Sequence, residues 1–281
     1  MYGEFFTTNT TIGWGLKAQY YWQNIANFEA HVRAPYTKSF DLTRDAAFKN
    51  STVDNEARPF LYGELLGTFH VKDEEQDTET KFILYSKRYK GDKWAATVPL
   101  HTVIPTKVRK IYGARFGGMA YKSAVDYNMV MKKQGVALVG DEGGEIGPEH
   151  SPYGNMSAVG FYIGGSMAII KNVAVQPDKI YGTLVSDLIF TTFFDINFTP
   201  MVTIDDIYID GVRYSSEPIQ KSVLGFRAGM EGKFNRKFSW AYSGEIGYRP
   251  GLKQSGFFVL AKISFHVYGS QLKQKVERFC T

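Results

Sequence analysis

The chain has 281 residues, of which 15% are aromatic and 22% charged, with 28 glycines, a single cysteine and a formal charge of +5. A mean hydropathy of -0.24 and the lack of an apolar run near 20 residues exclude a helical membrane protein, and one thiol excludes an internal disulfide. The basic residues are spread singly among acidic ones rather than gathered in a patch, which argues against nucleic acid as a partner.

Alternation of apolar and polar residues, the period of a β-strand, recurs along the chain. In "TIGWGLKAQYYWQ" Ile12, Trp14, Leu16, Ala18, Tyr20 and Trp22 share one parity, and Gly13, Gly15, Lys17 and Gln19 the other. The segment "NFEAHVRA" at 27–34 either extends this strand or pairs locally. "PFLYGELLGTFHVK" sets Leu61, Leu65, Phe69 and Val71 against Glu64, Thr68 and His70. "TKFILYSKRY" and "KWAATVPLHTV" read as two more strands joined at "KGDK", although Pro99 disfavours a central strand. A turn at "IPTK", 104–107, then leads into "RKIYGARFGGMAYK".

Three further strands follow in "AVGFYIGGSMAII", "TLVSDLIFTTFFDINF" and "VLGFRAGMEGK". The last two strands alternate most clearly. Trp240, Tyr242, Ile246 and Tyr248 oppose Ser239, Ser243, Glu245 and Arg249, and Phe257 to Val267 repeat the pattern after a Pro-Gly turn. Eight strands are clear and the two in 80–104 make ten, with eight and twelve as the alternatives.

These strands run to about twelve residues, whereas globular strands usually have five or six. A tilted strand crossing the hydrocarbon layer needs about nine to eleven. Trp22, Trp240, Tyr248 and Phe257 fall near strand ends, the position of an aromatic girdle. If the last strand runs inward from outside, the long connections 35–58, 129–157 and 199–222 all lie outside and 171–181 and 234–236 lie on the periplasmic side.

On these features the chain resembles the outer-membrane β-barrels of Gram-negative bacteria. The resemblance is one of class, covers about residues 10–269, and rests on the alternation and on the aromatic closing strand "GFFVLAKISFHVYG". The Tyr- and Gly-rich style is similar to accessory barrels of Bacteroidetes-type bacteria. The expected fold is thus all-β: one antiparallel transmembrane barrel over 1–281, with long extracellular loops, short periplasmic turns and a C-terminal extension at 270–281 that holds Cys280. "MYGEFFTTNT" has neither a basic start nor an apolar h-region, so an exported form is expected to be mature, its signal peptide removed.

On the polar parity, Lys17, Arg115, Arg227, Lys233, Arg249 and Lys262 oppose Glu64, Asp187, Asp195, Glu231 and Glu245. Charges in a narrow interior must pair. The expectation is a lumen plugged by a network that includes Arg115, Asp187, Arg227, Glu231, Glu245 and Lys262, with Glu245 between Arg227 and Lys262. A plug favours a non-enzymatic structural or accessory subunit of an envelope assembly for secretion, protein insertion or uptake. Its partners would be membrane lipid or lipopolysaccharide and other surface proteins, with no cofactor or metal.

Three readings compete with it. In a barrel enzyme similar to omptin-type proteases or lipid hydrolases, His150 would pair with Asp205 or Asp206 at the outer rim. A narrow channel is the second, and a soluble β-sandwich or lipocalin-like binder the third.

Overall fold

A computed structural model describes the backbone of residues 1–90, 93–147, 149–176, 183–235, 239–268 and 275–278, and the side chains of these except 84–90, 93–100 and 275–278. Ten strands close a barrel: β1 (Tyr2–Phe6), β2 (Asn9–Trp22), β3 (Ala26–Pro35), β4 (Leu61–Lys90), β5 (Lys93–Asp126), β6 (Tyr153–Ile170), β7 (Leu188–Ile204), β8 (Leu224–Phe234), β9 (Trp240–Tyr248) and β10 (Phe257–Phe265). Each pairs antiparallel with its neighbours in sequence, and β1 closes the ring against β10.

The register sets the barrel's shape. Following paired residues from Trp22 through Ala26, Phe69, Ala114, Gly165, Phe194, Ala228, Ile246, Val259 and Phe5 returns to β2 at Thr10, twelve residues from the start. Ten strands with that stagger tilt by about 40° and leave a backbone radius of roughly 10 Å, space that side chains fill.

The wall has one parity toward solvent and one toward the lumen. Leu16, Leu65, Phe116, Ile163, Phe194, Ile196, Met230, Ile246 and Ile263 all face outward and are exposed. Soluble monomers rarely expose so continuous an apolar surface. Inward residues are polar in the middle of the barrel and apolar at one end. There Tyr2, Phe6, Met119, Tyr121, Met156, Phe258 and Leu260 of the wall pack against Val130, Leu138, Ile207, Ile209, Ile219 and Leu252 from the connections.

Those connections are the long ones, and all leave the same end. The β3–β4 connection carries helix α1 (Leu42–Asn50) and the β5–β6 connection carries α2 (Tyr127–Gln134). Helix α2 begins at Asp126, whose side chain accepts from the Met129 N–H, and stops at Gly135 in the left-handed region with φ 66°. Between β7 and β8, Ile207–Ile209 pairs with Val212–Tyr214 through an Asp210-Gly211 turn with both φ positive, the pair of residues that this tight turn favours.

The opposite end differs from the sequence expectation. The described residues of 80–104 add no strands to the wall: β4 and β5 stay paired with each other from Lys72–Tyr112 out to Lys90–Lys93. Because β3 pairs with β4 only as far as Phe69, and β6 with β5 only from Arg109, this part projects as a two-stranded hairpin roughly 60 Å long. Residues 104–107 are therefore not a turn but the inside of β5. Pro99 and Pro105 are tolerated because a projecting ribbon has free edges. The two missing wall strands are β1 and β3, so the count of ten stands while two of its members change, and the wall begins at Tyr2 rather than near residue 10. The turns at this end are also not uniformly short, since Val173–Gln176 and Leu184–Ser186 pair between β6 and β7, with Lys275–Arg278 added parallel. Cys280 lies outside the described residues.

Candidate functional site

The lumen holds three layers of charge. Nearest the apolar cap, Glu4 accepts from Arg33 Nη1 and Arg249 Nη1, both at 2.6 Å, with all three side chains fully buried. The guanidinium of Arg33 lies 4.0 Å from the centre of the Tyr62 ring and that of Arg249 lies 4.5 Å from Phe258, so aromatic faces supply what water cannot.

The middle layer centres on Arg227. Its Nε donates to Asp195 Oδ2 at 2.8 Å and its Nη2 to Glu64 Oε1 at 2.5 Å, while Nη1 stands 3.7 Å from Glu245 Oε2. Asp195 also takes a bidentate contact from Arg115, at 2.9 and 3.1 Å. Glu245 receives Lys262 Nζ at 2.5 Å, and Glu64 accepts from the Tyr62 and Tyr162 hydroxyls. Glycines make the space: Gly164 pairs with Asp195, and a Cβ there would lie 2.2 Å from Asp195 Oδ1.

Below it, Lys17 bridges Glu231 at 2.6 Å and Glu29 at 2.9 Å. Lys233 donates to Gln19 Oε1 at 2.8 Å and to the Tyr21 hydroxyl at 2.6 Å.

Of the expected network, the structure joins Arg115, Arg227, Glu245 and Lys262 in one layer and places Glu231 one layer away with Lys17. Glu245 does sit between Arg227 and Lys262, diagonal to both, because Arg227 pairs with Gly247 and Lys262 with Ser243. Arg227 itself is shared among three carboxylates, Lys262 being the closer cation to Glu245. Asp187 stands apart. It precedes β7 at the hairpin end, where its carbonyl accepts from the Asn235 N–H.

Glu4, Arg33 and Glu29 belong to the layers but are absent from the expected network. For Glu29 and Arg33 the sequence carries a signal, since Glu29, His31 and Arg33 alternate with Phe28, Ala30 and Val32.

The four residues expected to form an aromatic girdle divide between the two ends. Trp22 and Trp240 lie toward the hairpin end, and Tyr248 pairs with Phe257 near the cap. Trp240 and Tyr248 are eight residues apart on β9, hence roughly 20 Å along the barrel axis at the wall's tilt.

The rim candidates are each engaged with other partners. His150 Nδ1 is 3.3 Å from Thr52 Oγ1 and its Nε2 is 3.4 Å from Glu149. Asp205 instead accepts from Asn155 Nδ2 at 3.1 Å. Asp206 accepts from the Ser216 N–H and hydroxyl at 2.8 and 2.9 Å and from Arg213 Nε at 2.9 Å. Partial burial opposes the ionisation of Asp206, but the Ser216 and Arg213 donors outweigh it and hold the carboxyl below its ordinary range. Among the described residues no hydrogen bond links His150 to either aspartate. Asp206 fixes the Ile207–Tyr214 ribbon, a structural duty. Nor do three or more His, Cys, Asp or Glu side chains gather as metal ligands among the described residues.

Every carboxylate of the three layers already accepts from a cation, so no free general base is left there. The architecture defines a class, a closed ten-stranded antiparallel β-barrel with a charge-filled lumen. Comparison with protein-family models, with curated proteins and with solved structures finds no match for this chain.

Proposed function

We propose that this protein is a non-enzymatic barrel of a Gram-negative outer membrane, serving as a structural or accessory subunit of an envelope assembly. The observation that carries this reading is the unbroken outward apolar surface of a closed wall, bounded by aromatic residues at both ends. Its height of roughly 20–25 Å matches the apolar band of such barrels. The three salt-bridged layers and the apolar cap support a plugged lumen over a channel, and the engagement of His150, Asp205 and Asp206 with other partners favours a non-enzymatic role over a rim hydrolase. In this reading the capped end faces outside and the projecting hairpin reaches inward. Loops at one end and a ribbon at the other are the surfaces left for partners.

Ile163→Arg and Ala228→Arg, at outward mid-wall sites, test it. Each should destabilise the protein folded in lipid vesicles by roughly 2–4 kcal/mol, the cost of a cation near the bilayer midplane. The unmodified protein should add no conductance to a planar bilayer. Arginines as harmless as ordinary surface changes would remove the membrane assignment, and steady single-channel steps would remove the plug.

A further inference from the structure

The connection from β3 to β4 leaves an aromatic and basic patch on the outer side of the capped rim, and we propose that it binds the phosphate of a lipid headgroup. Past Pro35 the chain stays against β2, the Tyr36 N–H donating to the Ile12 carbonyl at 3.2 Å. It then bulges through a short helical turn at Lys38–Phe40, bridges back from Asp41 to Thr11, and enters α1. Tyr36, Phe40, Leu42 and Phe48 are each 43–53% exposed, and the Tyr36 and Phe40 rings pack edge to face at 5.8 Å. Through Tyr36 the patch adjoins the exposed Ile12 at the end of the apolar band. Aromatic residues at that depth mark the border between hydrocarbon and headgroups.

Two cations share one ring of this patch. Lys38 Nζ lies 4.8 Å from the centre of the Phe48 ring and the Arg44 guanidinium 5.4 Å, so the two are no more than about 10 Å apart. Neither has a carboxylate partner among the described residues, since Asp45 is taken by Lys49 at 2.5 Å and Asp41 by Asn9 and the Phe60 N–H. Arg44 is fixed by its Nε, which donates to the Ala57 carbonyl at 3.1 Å and leaves both Nη groups for a ligand. Helix α1 is seated just as firmly. The Thr43 N–H donates to Asn9 Oδ1 and its hydroxyl to the Thr8 carbonyl, while Ala47 is buried against Ala57 and Ala124.

The occupant's chemistry follows from these groups. A guanidinium fork and a nearby ammonium, with no carboxylate to neutralise them, match the oxygens of one phosphate. The exposed rings and Leu42 beside the cations give acyl chains an apolar surface, which a free phosphate ion would leave unused. The fitting ligand is thus an anionic lipid with a phosphate monoester headgroup, in the leaflet on the capped side. The inference rests on the membrane reading proposed above.

The test uses the full chain, with Cys280→Ser, folded into phosphatidylcholine vesicles. A fluorophore is placed through Ser39→Cys in the patch or, as a control, through Met201→Cys, an exposed outward site on β7. Traces of phosphatidic acid or of phosphatidylcholine, each with a nitroxide on the acyl chain near the headgroup, serve as quenchers. At Ser39 phosphatidic acid should be enriched roughly fivefold or more over phosphatidylcholine, the effect of about one basic side chain at a lipid surface, and at Met201 the two should quench alike. Lys38→Gln combined with Arg44→Gln should bring the Ser39 ratio down to that at Met201 and leave the Met201 quenching unchanged. Equal quenching by the two lipids at Ser39, or an enrichment that survives both substitutions, would overturn the proposal and leave the membrane reading intact. Abolition of the enrichment by about 20 mM inorganic phosphate would identify a site for the free ion and also overturn it. A Ser39 label that neither lipid quenches would mean that another occupant, such as a second copy of this chain, covers the patch. Failure of both lipids to quench at Met201 would instead sink the membrane reading, and the lipid site with it.

Discussion

The pairing of Glu245 can be separated from its alternatives by substitution. Glu245 Oε1 accepts from Lys262 at 2.5 Å, and Arg227 is 3.7 Å from the other oxygen, with Glu245 and Arg227 almost fully buried. At that Lys262–Glu245 distance an effective dielectric of 20 gives a gross attraction of about 7 kcal/mol, most of which offsets desolvation. Glu245→Gln removes the charge and keeps the shape. Arg227 retains Asp195 and Glu64, but Lys262 is left as a partly buried cation without its carboxylate partner. The expected loss is roughly 3–5 kcal/mol, as for a broken buried pair.

Adding Lys262→Met to Glu245→Gln removes the stranded charge and should recover most of that loss. Combining Glu245→Leu with Arg227→Met should not, because it deprives Asp195 and Glu64 of Arg227. Urea titrations of the barrel in vesicles, followed by tryptophan fluorescence, would rank the variants. A Glu245→Gln protein as stable as the parent, or less stable with Lys262→Met than without it, would refute the pairing.

Two further outcomes concern the ends of the barrel. In a background lacking Cys280, cysteines at Asn50, Lys133 and Ser215 should react with an impermeant reagent on intact cells and one at Thr78 in the hairpin should not; the reverse pattern would invert the orientation. Because the folded-state carboxyl of Asp206 titrates below its unfolded value near 4, its stabilisation is full above that value and is lost as pH falls through the folded one. Proteolysis within the Ile207–Tyr214 ribbon should thus accelerate below about pH 4, and Asp206→Asn should cleave equally fast at pH 6 and pH 3. Acceleration that begins above pH 5, or that persists in Asp206→Asn, would assign the effect to another group.

The lumen was legible wherever one parity stayed apolar over a long run. Strands β8, β9 and β10 gave Arg227, Glu245 and Lys262 their inward direction from alternation alone, since a one-residue slip would have turned Phe226, Ile246 and Ile263 inside. Strand β1 was not legible. In "YGEFF" Tyr2 and Phe6 face the lumen while Phe5 faces out, so aromatics on both parities cancel the signal and hid Glu4. The hairpin was misread because it alternates as a wall strand does, and nothing in the local pattern distinguishes a ribbon in water from a strand in a sheet. Only pairing partners do. The rim loops failed for a related reason: adjacency of His150 and of Asp205 and Asp206 to strand ends placed them at one rim, but Ser216 and Arg213 decide where Asp206 points.

Spin labels along β7 test the central claim most directly. Labels would replace Phe194, Ile196 and Phe198, which face outward, and Asn197 and Thr199, which are buried in the lumen. In protein folded into vesicles, collision rates with oxygen, which partitions into lipid, and with a water-soluble nickel chelate would be measured at each site. A lipid-spanning, plugged barrel requires high oxygen and low nickel accessibility at the three outward sites, and little of either at the two inward ones. Nickel access at the outward sites would show that this face meets water rather than lipid, and nickel access at Asn197 and Thr199 would show that the lumen is open.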